Sequence, residues 1–133
     1  MGELEKSLNE RALIAEDIDR ALEDEEPFVR AAAAGSANAE DRHLDKALED
    51  GDWYVKAVAA GSANAKEYHL DKALEDPDLY VRIAAIKNSN VKDHHLDKAL
   101  KDSNPFVREA ARAALKNSNV KNHQCSNVEM PCQ

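Results

Sequence analysis

The side chains of this sequence that could bind a metal, move a proton or anchor a partner mostly recur at a fixed spacing. His43, His69 and His95 stand 26 residues apart, opening HLDKALED, HLDKALED and HLDKALKD. Imidazole is a common metal ligand, and a structural zinc needs four ligands at about 2 Å. Packed helices lie about 10 Å apart, so histidines on successive units are not expected to share an ion. They are expected to cover the seam between first helices. His94 adds a neighbour to His95, and adjacent residues of a helix are expected to point apart. Near the C-terminus, His123, Cys125 and Cys132 offer at most three ligands, and two cysteines make no disulfide framework. Neither a metal nor a cofactor is expected.

Catalysis has little to work with. The chain has no glycine-rich phosphate loop, nucleophile elbow or paired metal-binding histidines on one helix face. Its carboxylates are abundant but exposed by pattern, and some recur in the acidic turns EDEE at 23–26, EDGD at 49–52 and EDPD at 75–78. An enzyme is therefore not expected. These turns line one edge with regularly spaced negative charge, and two readings are open: a solvated edge with helix-capping duty, or a surface for a basic partner.

A second column is aromatic. Phe28, Tyr54, Tyr80 and Phe106 recur at the same interval, with Trp53 and Leu79 beside two of them. They either close the groove between units or act as interface anchors, a role for which partly exposed Tyr and Trp are favoured. The candidate partner-binding residues are Trp53, Tyr54, Lys56, Tyr80, Arg82 and Phe106.

The elements that must carry these columns follow from the apolar pattern. Ile18, Leu44, Leu70 and Leu96 form one column, Leu22, Leu48, Leu74 and Leu100 a second, and Val29, Val55, Val81 and Val107 a third. A period between 20 and 50 residues marks an array in which each unit contacts mainly its neighbours. Each unit reads as two short helices. Asn38, Asn64 and Asn90 are expected to cap the first, with Leu44, Ala47 and Leu48 on its buried face; whether that helix is α or 3₁₀ is open. The second follows the acidic turn, buries Val55, Val58 and Ala59, and in the last unit starts at Pro105 behind Asn104. Gly35 and Gly61 are expected to end helices in the left-handed conformation. Residues 1–16 are expected to form a capping helix, 17–120 four units, and 121–133 a partial unit and tail. In that tail Asn119 would be the next cap and Cys125 a small buried apolar residue.

LKDSNPFVREAARAALKN at 100–117 resembles a short bacterial HEAT-like repeat, with its acid before the second helix, Val-Arg pair and Ala-Ala run. ALEDPDLYVRIAAIKNSNVKDHHLDKAL at 73–100 resembles the variant leucine-rich repeat, a short helical relative. The resemblance implies an all-α solenoid, a right-handed superhelix of about four two-helix repeats of 26 residues, used for binding and without chemistry of its own. It further implies a ladder in which Arg30, Lys56, Arg82 and Arg108 pair with the turn acids Asp24, Asp50, Asp76 and Asp102 of neighbouring units. The same cations could instead form an anion-reading stripe.

At 133 residues and a formal charge of −8, direct binding to nucleic acid or an anionic membrane is not expected, since both need clustered Lys and Arg. No apolar run approaches transmembrane length, and MGELEKSLNE lacks the segments of a signal peptide. The expectation is a cytoplasmic, monomeric protein-interaction module whose groove of second helices binds a protein, basic if charge matters. The alternative is an acidic competitive inhibitor, a nucleic-acid mimic that blocks a nucleic-acid-binding or defence complex.

Overall fold

The structure, a computed structural model, describes residues 14–126, with side chains as far as residue 117. The expected capping helix at 1–16 falls mostly outside the described residues, as do Cys132 and the side chains of His123 and Cys125. Eight α-helices and no strand make up the described residues. They are α1 (Ala15–Ala21), α2 (Pro27–Ala34), α3 (Asp41–Leu48), α4 (Trp53–Ala60), α5 (Glu67–Leu74), α6 (Leu79–Lys87), α7 (Asp93–Ala99) and α8 (Pro105–Ser126). The first helix of each unit is thus α-helical. None of the described helices is long and apolar enough to cross a membrane.

Helices of seven to nine residues are marginal alone, so each must bury its apolar stripe against another. Leu44, Ala47 and Leu48 on α3 are buried, as are Leu70, Ala73 and Leu74 on α5. On the second helices Val55 and Ala59, Val81 and Ala85, and Val107 and Ala111 do the same. Fully burying one such Leu or Val contributes about 1.5–3 kcal/mol. The result is two rows of helices sharing one core: α2, α4, α6 and α8 pack side by side in one, α3, α5 and α7 in the other. The second helices touch more extensively, because their contact faces are built from alanine.

That close approach, and not a left-handed turn, accounts for Gly35. Gly35 and Gly61 end α2 and α4 at φ −85° and −88°, an ordinary helical conformation, which corrects the expected left-handed caps. A Cβ on Gly35 would come within 3.1 Å of Val58 Cγ1. The same column holds Lys87 in the third unit, as a backbone free of φ restriction permits. The turns are closed instead by serine: Ser62 Oγ accepts from Asn64 N–H at 3.0 Å.

The asparagines do not cap the first helices; Glu40, Lys66 and Lys92 occupy those cap positions. Asn64 Nδ2 donates instead to Ala37 O and Ala39 O of the preceding unit, and Asn90 Nδ2 to Ala63 O and Ala65 O. An amide at this position therefore ties one turn to the turn before it. Asn88, buried, adds donations to Ala60 O and Ser62 O while accepting from Asn90 N–H. Truncating Asn90 to alanine leaves two carbonyls without their donor, a loss of about 1–2 kcal/mol, to be read from urea unfolding.

The expected break at Asn119 is also corrected, since α8 runs unbroken to Ser126. KNSNVK at 87–92 ends α6 and forms the turn that follows, yet at 116–121 it lies inside α8. The three extra residues before the second copy carry it about 4.5 Å further along the axis at 1.5 Å per residue, out of register with the preceding turn.

Candidate functional site

The edge that holds the aromatic column is set by the aspartate two residues before each cap. Asp24, Asp50, Asp76 and Asp102 each accept from the backbone N–H two residues on, at 2.9 Å. This side-chain turn places the next polar residue at the helix start. Asp52 then accepts from Tyr54 N–H, Asp78 from Tyr80 N–H and Val81 N–H, and Asn104 from Phe106 N–H. Each cap fixes the aromatic residue in the first turn of its second helix, on the side away from the buried valine.

All five aromatic candidates there are exposed, from 41% at Tyr54 to 74% at Phe28. They meet across units: Phe28 packs edge-on to Tyr54 at 6.0 Å between ring centroids, and Trp53 lies 5.2 Å from Tyr80. Trp53 and Tyr54 themselves stand at 5.8 Å, so four rings form one continuous row. Phe106 occupies the equivalent place at the start of α8. Between Phe28 and Tyr54 the row borders a shallow groove of about 300 Å³, floored by Ala31, Ala32, Gly35 and Val58.

Lys56 and Arg82 lie close by but are otherwise engaged. Arg30 Nε reaches Asp50 Oδ2 at 2.7 Å, Lys56 Nζ reaches Asp76 Oδ2 at 3.0 Å, and Arg82 Nε reaches Asp102 Oδ2 at 2.9 Å. Only Arg30 Nε points along its acceptor; Arg82 is held by Nη2, which donates to Asp102 Oδ1 at 3.2 Å. The bond to Asp50 raises the Arg30 pKa, with burial opposing it. Arg30, Arg82 and Arg108 also donate to the carbonyls of Asp24, Asp76 and Asp102 in their own turns. Asp24 opens the series with no cation on its carboxylate among the described residues. Each remaining aspartate thus takes its own turn's N–H on one oxygen and the preceding unit's cation on the carboxylate. The cations are spent inside the fold. Asp76→Asn keeps the turn and removes the charge, so it is expected to lower stability by about 1–2 kcal/mol, read as a lower midpoint in urea.

His43, His69 and His95 are buried, with 0–1% of each exposed. His43 Nδ1 accepts from Glu40 N–H at 2.8 Å, His69 Nδ1 from Lys66 N–H at 2.8 Å, and His95 Nδ1 from Lys92 N–H at 2.9 Å. Each ring is therefore the cap acceptor of its own helix. On the other side Nε2 faces an aspartate of the preceding unit: Asp19 at 2.8 Å, Asp45 at 3.1 Å and Asp71 at 2.9 Å. Alignment is good only for His43.

His94 and His95 do not point apart. Their ring centroids are 4.0 Å apart, and both rings reach Asp71. With Asp71 they form a group compact enough for an ion. His95 cannot serve: Nδ1 spends its lone pair on Lys92 N–H, leaving the proton on Nε2, the atom that would bind metal.

No protein-family model, curated protein or solved structure matches this chain. The geometry alone thus bears on function. Sequence reasoning missed that histidine caps the first helices and that asparagine joins the turns. The constant three-residue offset from Glu40, Lys66 and Lys92 to each histidine was the available signal for the former.

Proposed function

We propose that this chain is a non-catalytic protein-interaction module, an α-solenoid of the HEAT-like or variant leucine-rich type, that grips a partner on the row of second helices. The observation that carries the reading is the continuous row of exposed rings Phe28, Tyr54, Trp53 and Tyr80, extended by Phe106. Soluble chains bury or scatter such side chains, and contiguous exposed apolar patches mark sites of interaction. Side-chain caps at Asp52, Asp78 and Asn104 fix the helix starts that carry Tyr54, Tyr80 and Phe106, and such preorganisation lowers the entropic cost of binding. Lys56 and Arg82 act in this reading as supports for neighbouring turns, with contact made by the rings beside them.

The test is selection from a random-peptide library on the immobilised full chain, with each ligand re-assayed on the Tyr54→Ala/Tyr80→Ala chain. Ligands that the variant loses support the reading. Ligands held equally by both chains contradict it.

A further inference from the structure

Charge pairing along the aromatic edge is one-sided. Arg30, Lys56 and Arg82 are consumed by Asp50, Asp76 and Asp102, and Lys46, Lys72 and Lys98 by Glu23, Glu49 and Glu75. What remains beside Phe28, Trp53, Tyr54 and Tyr80 is anionic. Glu25, Glu26 and Asp78 have no cation partner among the described residues, Asp52 shares the field of Arg30 without an ion pair of its own, and Asp52 and Asp78 use only Oδ1 in capping. Each carboxylate lies within two or three residues of an exposed ring. A neutral ligand that covered the row would strip water from these carboxylates without replacing it. A polyanion would be repelled. A cation placed over Trp53 or Tyr80 gains both the ring face and the neighbouring carboxylate.

Spacing then restricts the ligand further. Packed helices repeat at about 8–10 Å, and three residues of extended or polyproline II chain span about 9–10 Å. One cation in every three residues therefore keeps step with one ring-and-carboxylate pair per unit. We infer that the row takes an extended peptide segment carrying arginine or lysine at every third position. This rests on reading the row as a binding surface.

Trp53 is the chain's single tryptophan and stands in the row, so its fluorescence reports occupancy directly. The probes are a short peptide with arginine at every third position, separated by serine and proline, and a twin of the same composition with its arginines clustered. The spaced peptide is expected to quench or shift Trp53 emission and to bind about tenfold more tightly than the twin. The Asp52→Asn/Asp78→Asn chain keeps both caps, because asparagine caps as well as aspartate; it is expected to bind the spaced peptide about tenfold more weakly. Equal binding of the twins, full retention by that variant, or binding of neither peptide overturns the inference. Library-selected ligands keep the two readings separate: neutral ligands lost by Tyr54→Ala/Tyr80→Ala would leave the surface standing and remove only its preference for cations.

Discussion

His69→Ala is expected to lower the stability of the chain by about 3–4 kcal/mol, more than Asn90→Ala or Asp76→Asn. Three losses combine. The ring fills space between α3 and α5 with none of its surface exposed, and removing a side chain of that size from a core costs about 2–5 kcal/mol through burial and cavity. The helix start at Lys66 loses its acceptor, worth about 1 kcal/mol. The carboxylate of Asp45 loses its neighbour from the next unit, although this aspartate is half exposed and water compensates it. Thermal unfolding followed by circular dichroism should show a midpoint lower by roughly 10 °C. His94→Ala, one residue from His95 but exposed, serves as the control and is expected to stay within about 0.5 kcal/mol of the parent. Equal effects of the two substitutions would mean that the capping and filling role assigned to the buried column is wrong.

The second large effect concerns binding. Tyr54→Ala with Tyr80→Ala removes two of the four rings in contact and leaves Phe28 and Trp53 without their cross-unit contacts. Anchor residues of this type each cost about 2 kcal/mol or more when truncated at the centre of an interface, so the pair should weaken a ligand of the row by more than about a hundredfold. Stability should change little, since both side chains are exposed and their backbone N–H groups keep the caps Asp52 and Asp78. Separating binding from folding in this way makes the double variant more informative than any change to the ladder or the histidines, which hold the units together.

The sequence made the helical pairs legible because apolar periodicity depends only on which faces are buried. Ile18, Leu44, Leu70 and Leu96, and Val55, Val81 and Val107, fall in the core as their spacing requires. The polar columns were harder, since one residue type serves several geometries. An asparagine before a helix reads as a cap, yet Asn64 and Asn90 sit two positions too early and spend their amides on the preceding turn. Histidine is not among the usual capping residues, and its role here depends on a ring folding back to its own cap position, which propensity does not encode. Gly35 resembled a left-handed cap, whereas its requirement is the nearby methyl of Val58. KNSNVK is the sharpest case: as a turn and as part of α8 its local preferences are identical, and register against the preceding unit decides between them. For the candidate surface, the aromatic recurrence was visible, but not whether the rings face solvent or fill the groove. That Lys56 and Arg82 would engage turn acids was implied only by the family resemblance, since residue type and spacing left an anion-reading stripe equally open.

The most direct test of the account is the dissociation constant of one library-selected ligand for the parent chain and for Tyr54→Ala/Tyr80→Ala, both shown folded by circular dichroism and titrated through Trp53 fluorescence. The account predicts that the variant unfolds at nearly the parent's midpoint and binds more than about a hundredfold more weakly. An unchanged dissociation constant in a folded variant would contradict it, and would place the binding surface elsewhere on the chain.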